Sequence, residues 1–278
     1  MESDDASIVK IMLPPELQYL IFEQTAYVGG LKVALKLMLV SKAIHDLIKP
    51  TLYAIFKQLS WSRSFPDFDA FSPVPSGLSP SHKPTLASLG PYARHLIIAG
   101  LKSPSRITEV ISSCPNTLNL AVWVQCPFSL ILPSLEVLTN LQRLSADFET
   151  ITREEFLDCK VLHRLSYLDI IGFPSGGWEE WSMLTHLPNL TNMCLNNIVD
   201  IGIVNDLLLS CPSLRILILL DDHSLGWDEK AVDIQDFRLV LMQECKHVNI
   251  LEDWMNGARG TLDTWSFADL FRLLGAVS

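Results

Sequence analysis

The sequence predicts an α/β protein made by stacking one short unit many times, and three observations carry that prediction. The first is a spacing. From residue 93 onward a leucine, two residues, a second leucine, one residue and a third apolar position recur as Leu141-Leu144-Ala146, Leu165-Leu168-Ile170, Leu190-Met193-Leu195 and Leu214-Leu217-Leu219. Weaker copies stand at Ala93-Leu96-Ile98 and Thr117-Leu120-Val122, so central positions 96, 120, 144, 168, 193, 217 and 241 step by 24 or 25 residues. The second is helical periodicity between those runs: Ile107, Val110 and Ile111 share one helical face, as do Phe156, Leu157 and Val161, and Val204, Leu207 and Leu208. The third is composition. Of 278 residues 49% are hydrophobic and 19% charged, enough apolar material for a continuous core. A leucine pattern of this order with a 20–29-residue period is the signature of a leucine-rich repeat solenoid, with short parallel strands on one side and convex helices on the other.

The first ninety residues stand outside the period. Residues 13 to 56 read as a small three-helix module, placed at 11–56. Pro15 suits a first helical turn, and Leu17, Leu20 and Ile21 share a face. Gly29-Gly30 is expected to break the chain. Leu31, Leu35, Met38 and Leu39 then form a second face, and Ile44, Leu47 and Ile48 a third, before Pro50. A proline-rich connector follows at 57–91, its middle from Ser72 to Pro84 composed like a loop. The solenoid proper is expected over 92–250. Thr152 with Glu155 three residues later is a capping box, and Asp200 is a helix cap. The tripeptides Ser113-Cys114-Pro115 and Ser210-Cys211-Pro212 fall at the same place on different coils. Residues 251–278 read as a capping tail, with Trp254, Trp265, Leu270 and Phe271 available to cover the apolar end of the last coil.

The run Leu13-Pro14-Pro15-Glu16-Leu17, then Ile21-Phe22, Leu39-Val40-Ser41-Lys42 and Pro50-Thr51-Leu52-Tyr53 resembles an F-box. Ala43, Ile44 and His45 stand where that family often carries an aromatic residue. Asp253-Trp254-Met255-Asn256-Gly257-Ala258-Arg259-Gly260, with Trp265 and Phe267-Ala268-Asp269, is similar to the closing segment of fungal F-box-like proteins with irregular leucine-rich repeats. The resemblance implies the substrate-recognition subunit of a Skp–cullin–F-box type ubiquitin ligase. Its F-box would dock a Skp-type adaptor, and through it a cullin, through Leu13, Pro14, Leu17, Ile21, Val40, Pro50, Leu52 and Tyr53. Its repeats would hold a protein substrate, and the chemistry would belong to other subunits. Several of the docking residues are also placed to seal the module against the first coil. The alternative is a non-catalytic repeat scaffold whose F-box-like segment no longer binds the adaptor.

Strand residues alternate, so side chains flanking the buried leucines are expected on the concave face. They read as three rows: His95, Asn119, Arg143, Tyr167, Asn192, Ile216; then Ile97, Ala121, Ser145, Asp169, Cys194, Ile218; then Ala99, Trp123, Asp147, Ile171, Asn196, Leu220. Trp123, Arg143, Asp147, Tyr167, Asp169, Asn192 and Asn196 are the candidate substrate-binding residues, because aromatic and arginine side chains dominate binding hot spots. Arg143 is placed to pair with Asp147 or Asp169. The Ile216, Ile218 and Leu220 end offers apolar contact, either to a ligand or to the tail. With only Arg143 and His95 basic in these rows, an unmodified or apolar ligand is expected.

Other chemistries are disfavoured. The net charge of −10 argues against nucleic acid and anionic membranes as partners. No catalytic or phosphate-binding motif occurs, Asp221-Asp222-His223 reads as a solvated loop, and no metal or cofactor is expected. The six cysteines form no CxxC pair and read as small buried hydrophobes of a reducing compartment. The acidic opening Met1-Glu2-Ser3-Asp4-Asp5 lacks the basic region of a secretory leader, so a cytoplasmic or nuclear location is expected.

Overall fold

Eight parallel strands, each hydrogen-bonded to the next in sequence order, form the centre of the protein in a computed structural model. The structure describes residues 13–59, 67–68, 85–173, 175–196, 200–221, 234–243 and 250–275. Met1 to Asp5, Ser72 to Pro84, Asp222-His223 and Cys245 lie outside them.

The parallel strands are β1 (Ile55–Leu59), β3 (His95–Ala99), β4 (Asn119–Trp123), β5 (Arg143–Asp147), β6 (Tyr167–Gly172), β7 (Asn192–Asn196), β8 (Ile216–Asp221) and β9 (Leu239–Gln243). A two-residue strand, β2 (Asp67–Phe68), pairs antiparallel with β1 at the edge. The leucine period is the ladder register itself: Leu96, Leu120, Leu144, Leu168, Met193 and Leu217 are opposed one to the next. All six are buried. The ladder begins earlier than the period, with Phe56 opposite Leu96, so β1 crosses the expected boundary between module and connector. Its end is also shifted. Leu217 faces Leu239 rather than Leu241, a two-residue difference that preserves which face each side chain occupies. Arg238 fixes this last step by donating Nη2 to the Leu208 carbonyl at 2.6 Å and pairing with Asp236 at 2.7 Å.

Helices cover one sheet face. α3 (Leu86–Leu89), α4 (Pro104–Ser113), α5 (Arg153–Asp158), α6 (Trp178–Trp181) and α7 (Ile201–Ser210) bury their apolar sides against the leucine rows. Thr152 and Glu155 cap α5 reciprocally, and Asp200 accepts from the Gly202 amide at 2.6 Å at the head of α7. Cys114 and Cys211 end α4 and α7 at equivalent places. The expected α-helix is missing between β4 and β5. Two 3-10 segments, Phe128–Leu130 and Leu132–Val137, connect them, because Pro127 and Pro133 lack the amide protons a continuous helix needs.

The N-terminal module has two helices, not three. α1 (Pro15–Met38) runs unbroken through Gly29-Gly30, and α2 (Lys42–Leu52) folds back along it after a turn capped by Ser41. Two interior glycines cost about 1 kcal/mol each, less than packing Phe22, Ala26, Ala34, Leu37 and Met38 against Ile44, Ile48 and Leu52 returns. A third helix reaches the module from the far end of the chain. The tail folds as α8 (Ile250–Ala258) and α9 (Thr264–Gly275), and Met255 and Ala258 of α8 pack on Ile55. Ala258 also lines an apolar cavity of about 90 Å³ with Ala26, Ala34, Ile48 and Leu52. Among the described residues no helix is long and apolar enough to cross a membrane.

A ladder built this way predicts a graded response at equivalent positions. Leu168→Ala should cost about 2–5 kcal/mol, whereas Met193→Leu should change stability by less than about 1.5 kcal/mol. Urea denaturation of both variants checks this, and equal losses at the two sites would contradict a shared ladder position.

Candidate functional site

The candidate substrate residues lie on the sheet face opposite α3–α7, in the order their spacing implied. His95, Asn119, Arg143, Tyr167, Asn192 and Ile216 are successive partners across β3–β8, as are Ile97, Ala121, Ser145, Asp169, Cys194 and Ile218. The third row is interrupted. Asp147 faces Gly172 and not Ile171, because the register shifts after Ala146. Glycine leaves room there for the Asp147 carboxylate, which a Cβ on residue 172 would approach to 2.5 Å and displace.

Four of these residues form one polar chain running across four strands. Trp123 donates Nε1–H to Ser145 Oγ at 2.8 Å, and Ser145 donates to Asp169 Oδ2 at 2.6 Å. Asn196 donates Nδ2–H to Asp169 Oδ1 at 2.5 Å. The group therefore satisfies itself within the sheet. Burial raises the Asp169 carboxyl to a pKa of about 6 against hydrogen bonds from Ser145, Asn196 and Cys194 that lower it, and the nearby Asp253 carboxylate raises it further. Asp147 stands apart and accepts from the Glu149 amide at 2.9 Å, closing the turn after β5. Asn192 is buried, with its side chain taking a hydrogen bond from Thr191 at 2.8 Å.

Arg143 pairs with neither Asp147 nor Asp169. Its guanidinium lies over the Tyr167 ring at 4.1 Å and reaches Asp263 of the tail at 3.9 Å. Those contacts belong to a wider one, because α8 and α9 lie across this face. Trp265 meets Tyr167 edge-on at 5.3 Å between centroids, and Ala268 packs with Cys194, Ile216, Ile218 and Val240. The tail thus covers the face that carries the candidate residues. Of the four residues expected to cover apolar surface, Trp265 packs in the cluster that joins Ile216 and Ile218 to Val240 of the last described strand, the alternative in which the tail meets the Ile216–Leu220 end, while Leu270 and Phe271 are exposed. What remains between tail and sheet, beside Arg143, Tyr167, Asp169 and Asp253, is a cavity of about 50 Å³, room for a few waters.

The tail motif is a helix–turn–helix corner, which its composition alone did not disclose. Gly260 takes a positive φ of 69° after α8. Asp263 caps α9 by accepting from the Ser266 amide at 2.9 Å, and Asp253 accepts from the Thr264 amide at 2.9 Å. Gly257 is needed for close approach, as a Cβ there would lie 2.3 Å from Asp263 Oδ2.

The residues expected to dock an adaptor divide into two groups. Leu13, Pro14, Leu17, Ile21, Val40 and Pro50 are exposed, together with Leu20 and Leu39. Leu52 is 5% exposed and belongs to the core between α1 and α2. Tyr53 is half-buried at the junction with the first coils, 6.4 Å from Tyr92. These two seal the module, so their side chains are not a free docking surface.

Burial pushes the Cys114 thiol up to about 12 and raises Cys126, Cys159, Cys194 and Cys211 as well, the opposite of an activated thiolate. Among the described residues no group of three His, Cys, Asp or Glu side chains is placed to hold a metal ion. Comparison with protein families finds no model that matches this chain, and comparison with curated proteins finds no match either.

Asp169 and His95 contribute to the pH dependence of stability in opposite directions over one window, and Asp253, also raised by burial, acts in the same sense as Asp169. Asp169 has a raised folded-state pKa, so from about pH 4 to 6 the unfolded chain ionises first and the folded state loses stability as pH rises. His95 is lowered to about 4 by burial, then by Arg143 and Arg94, so below 6.5 the folded state loses stability as pH falls. Urea midpoints at pH 4, 5, 6 and 7 should show Asp169→Asn gaining on wild type up to about pH 6, then holding a constant offset. A difference flat across the whole range would contradict the assignment.

Proposed function

We propose that the chain is the substrate-recognition subunit of a Skp–cullin–F-box type ubiquitin ligase, with the N-terminal hairpin as the adaptor-docking module and the strand–helix stack as a leucine-rich repeat substrate receptor. The observation that carries the reading is the exposed apolar end of the hairpin. α1 is about 36 Å long and α2 only about 16 Å, so the first turns of α1 project beyond their partner. Leu13, Leu17, Leu20 and Ile21 on that projection, with Leu39 and Val40 in the turn, are 45–86% exposed. The cluster on that projection is the kind of exposed apolar patch that marks a protein–protein site, and it holds Leu13, Leu17 and Ile21, through which the family resemblance implies adaptor contact; Leu39 and Val40 are exposed separately, about 27 Å away at the other end of α1. The hairpin has two helices where the F-box pattern implies three, which favours the scaffold alternative to the extent that docking needs the third.

The substrate side is read as a protein ligand without phosphate. Arg143 is the cation of the central rows, and His95 is held neutral at physiological pH.

Co-purification with a Skp-type adaptor tests the reading. Wild type is expected to form a stable one-to-one complex that Leu17→Asp/Ile21→Asp abolishes without lowering the melting temperature. Leu52→Ala is expected to lose about 2–5 kcal/mol of stability, because its side chain is core. A wild-type chain that stays monodisperse beside the adaptor would instead support the scaffold.

A further inference from the structure

The sheet face assigned to substrate is already occupied by the chain's own last helix, and the manner of occupation describes a ligand. Three contacts define the seat. Asp263, the N-cap of α9, is 5% exposed and faces Arg143; Trp265 meets Tyr167; Ala268, fully buried, rests on Cys194, Ile216 and Ile218. Trp265 and Ala268, three residues apart, share one helical face, and Asp263 caps the turn before them, giving the spacing acid, +2 aromatic and +5 small.

Two further features set this seat apart from ordinary core packing. Beneath the tail, Trp123, Ser145, Asp169 and Asn196 satisfy one another within the sheet. Lifting the tail therefore leaves none of those bonds broken, whereas a polar group buried for structure alone is usually paired with whatever buries it. The second feature is the orientation of α9. Trp265, Ala268, Asp269 and Arg272 turn inward or lie at the margin, while Phe267, Leu270, Phe271 and Leu273 are 43–59% exposed. The helix presents its less apolar side to the sheet. That arrangement yields less burial than the helix has to give, and so a weaker hold.

We propose that this face is a binding site for an amphipathic partner helix opening with the pattern Asp-x-Trp-x-x-Ala, and that α9 is a tethered occupant which such a partner displaces. The proposal rests on the receptor reading above and names its substrate class: an unphosphorylated helix with an acidic N-cap, an aromatic residue in its first turn and a small residue one turn later. Charge complementarity to Arg143 sets the polarity of the helix. The Ile216, Ile218 and Cys194 floor admits only a small side chain at the third position.

The test uses the full chain and a fluorescein-labelled synthetic peptide of residues 259–278. Gly257→Ala pushes Asp263 from its place, since the added Cβ would lie 2.3 Å from the carboxylate, and leaves the ladder untouched. The variant is expected to bind the peptide at least tenfold more tightly than wild type does. Peptides carrying Trp265→Ala or Ala268→Glu are expected to lose that gain. Dimers of the variant that dissolve on adding peptide would be the same site filled by a neighbouring copy's tail, and would support the proposal. A folded variant that binds no peptide, or binds the substituted peptides equally, overturns it.

Hydrogen exchange on wild type keeps the test independent of the variant's folding. Amides of α9 should exchange at least tenfold faster than those of β5–β8. Exchange of α9 in the same slow class as the strands would make it permanent core and overturn the proposal. Adaptor co-purification separates the two readings: a variant that binds the adaptor but no peptide removes this inference and leaves the receptor role standing.

Discussion

Parallel register is the constraint on which everything else in this protein depends. Each coil can bury its leucines only against the coil before and after it, so one apolar residue must return to the same height every 24 or 25 residues. Met193 satisfies this as well as leucine does, because volume and an unbranched, adaptable chain are what the position asks for. The same register lines up the opposite face. Once Leu144 and Leu168 are paired, Arg143 must stand beside Tyr167 and Ser145 beside Asp169. The cation over a ring and the Trp123–Ser145–Asp169–Asn196 chain are consequences of core stacking, held at fixed spacing by strands about 4.8 Å apart.

The tail converts a two-layer stack into three layers. Its corner is made by short-range chemistry: a left-handed Gly260, an Asp263 cap, and a Gly257 that lets the two helices approach. Through Met255 and Ala258 it touches Ile55 beside the hairpin, and through Trp265 and Ala268 it spans β6 to β9. The hairpin and the tail therefore meet. Whatever moves α8 acts on both the hairpin side and the covered face.

Much of this was legible in the sequence, for identifiable reasons. The leucine spacing declares the register outright, because its period is longer than any local propensity and repeats without interruption from Leu96 to Leu217. Short-range caps such as Thr152 with Glu155 were legible for the same reason that they work, being complete within four residues. Gly29-Gly30 misled, since glycine propensity is a weak local preference and packing against α2 overrides it. Pro127 and Pro133 carried the missing helix, but their effect was hidden inside a repeat that otherwise kept its length. Leu52 shows another limit: the F-box pattern marks which residues are apolar, and only the fold says which of them point inward. The covered face had a signal. The unbroken apolar run from Ile216 to Leu220 is what a strand buried on both faces looks like. Which segment covers it depends on a contact between residues some fifty positions apart, and no local pattern encodes that.

The tail is seated on the sheet face that carries Arg143, Tyr167 and Asp169. Methyl-resolved nuclear Overhauser measurements on the full chain test that seating directly. Contacts are predicted between the Ala268 methyl and those of Ile216 and Ile218, and between the Trp265 and Tyr167 rings. Absence of these contacts, with the Ile218 methyls open to a soluble paramagnetic probe, would contradict it.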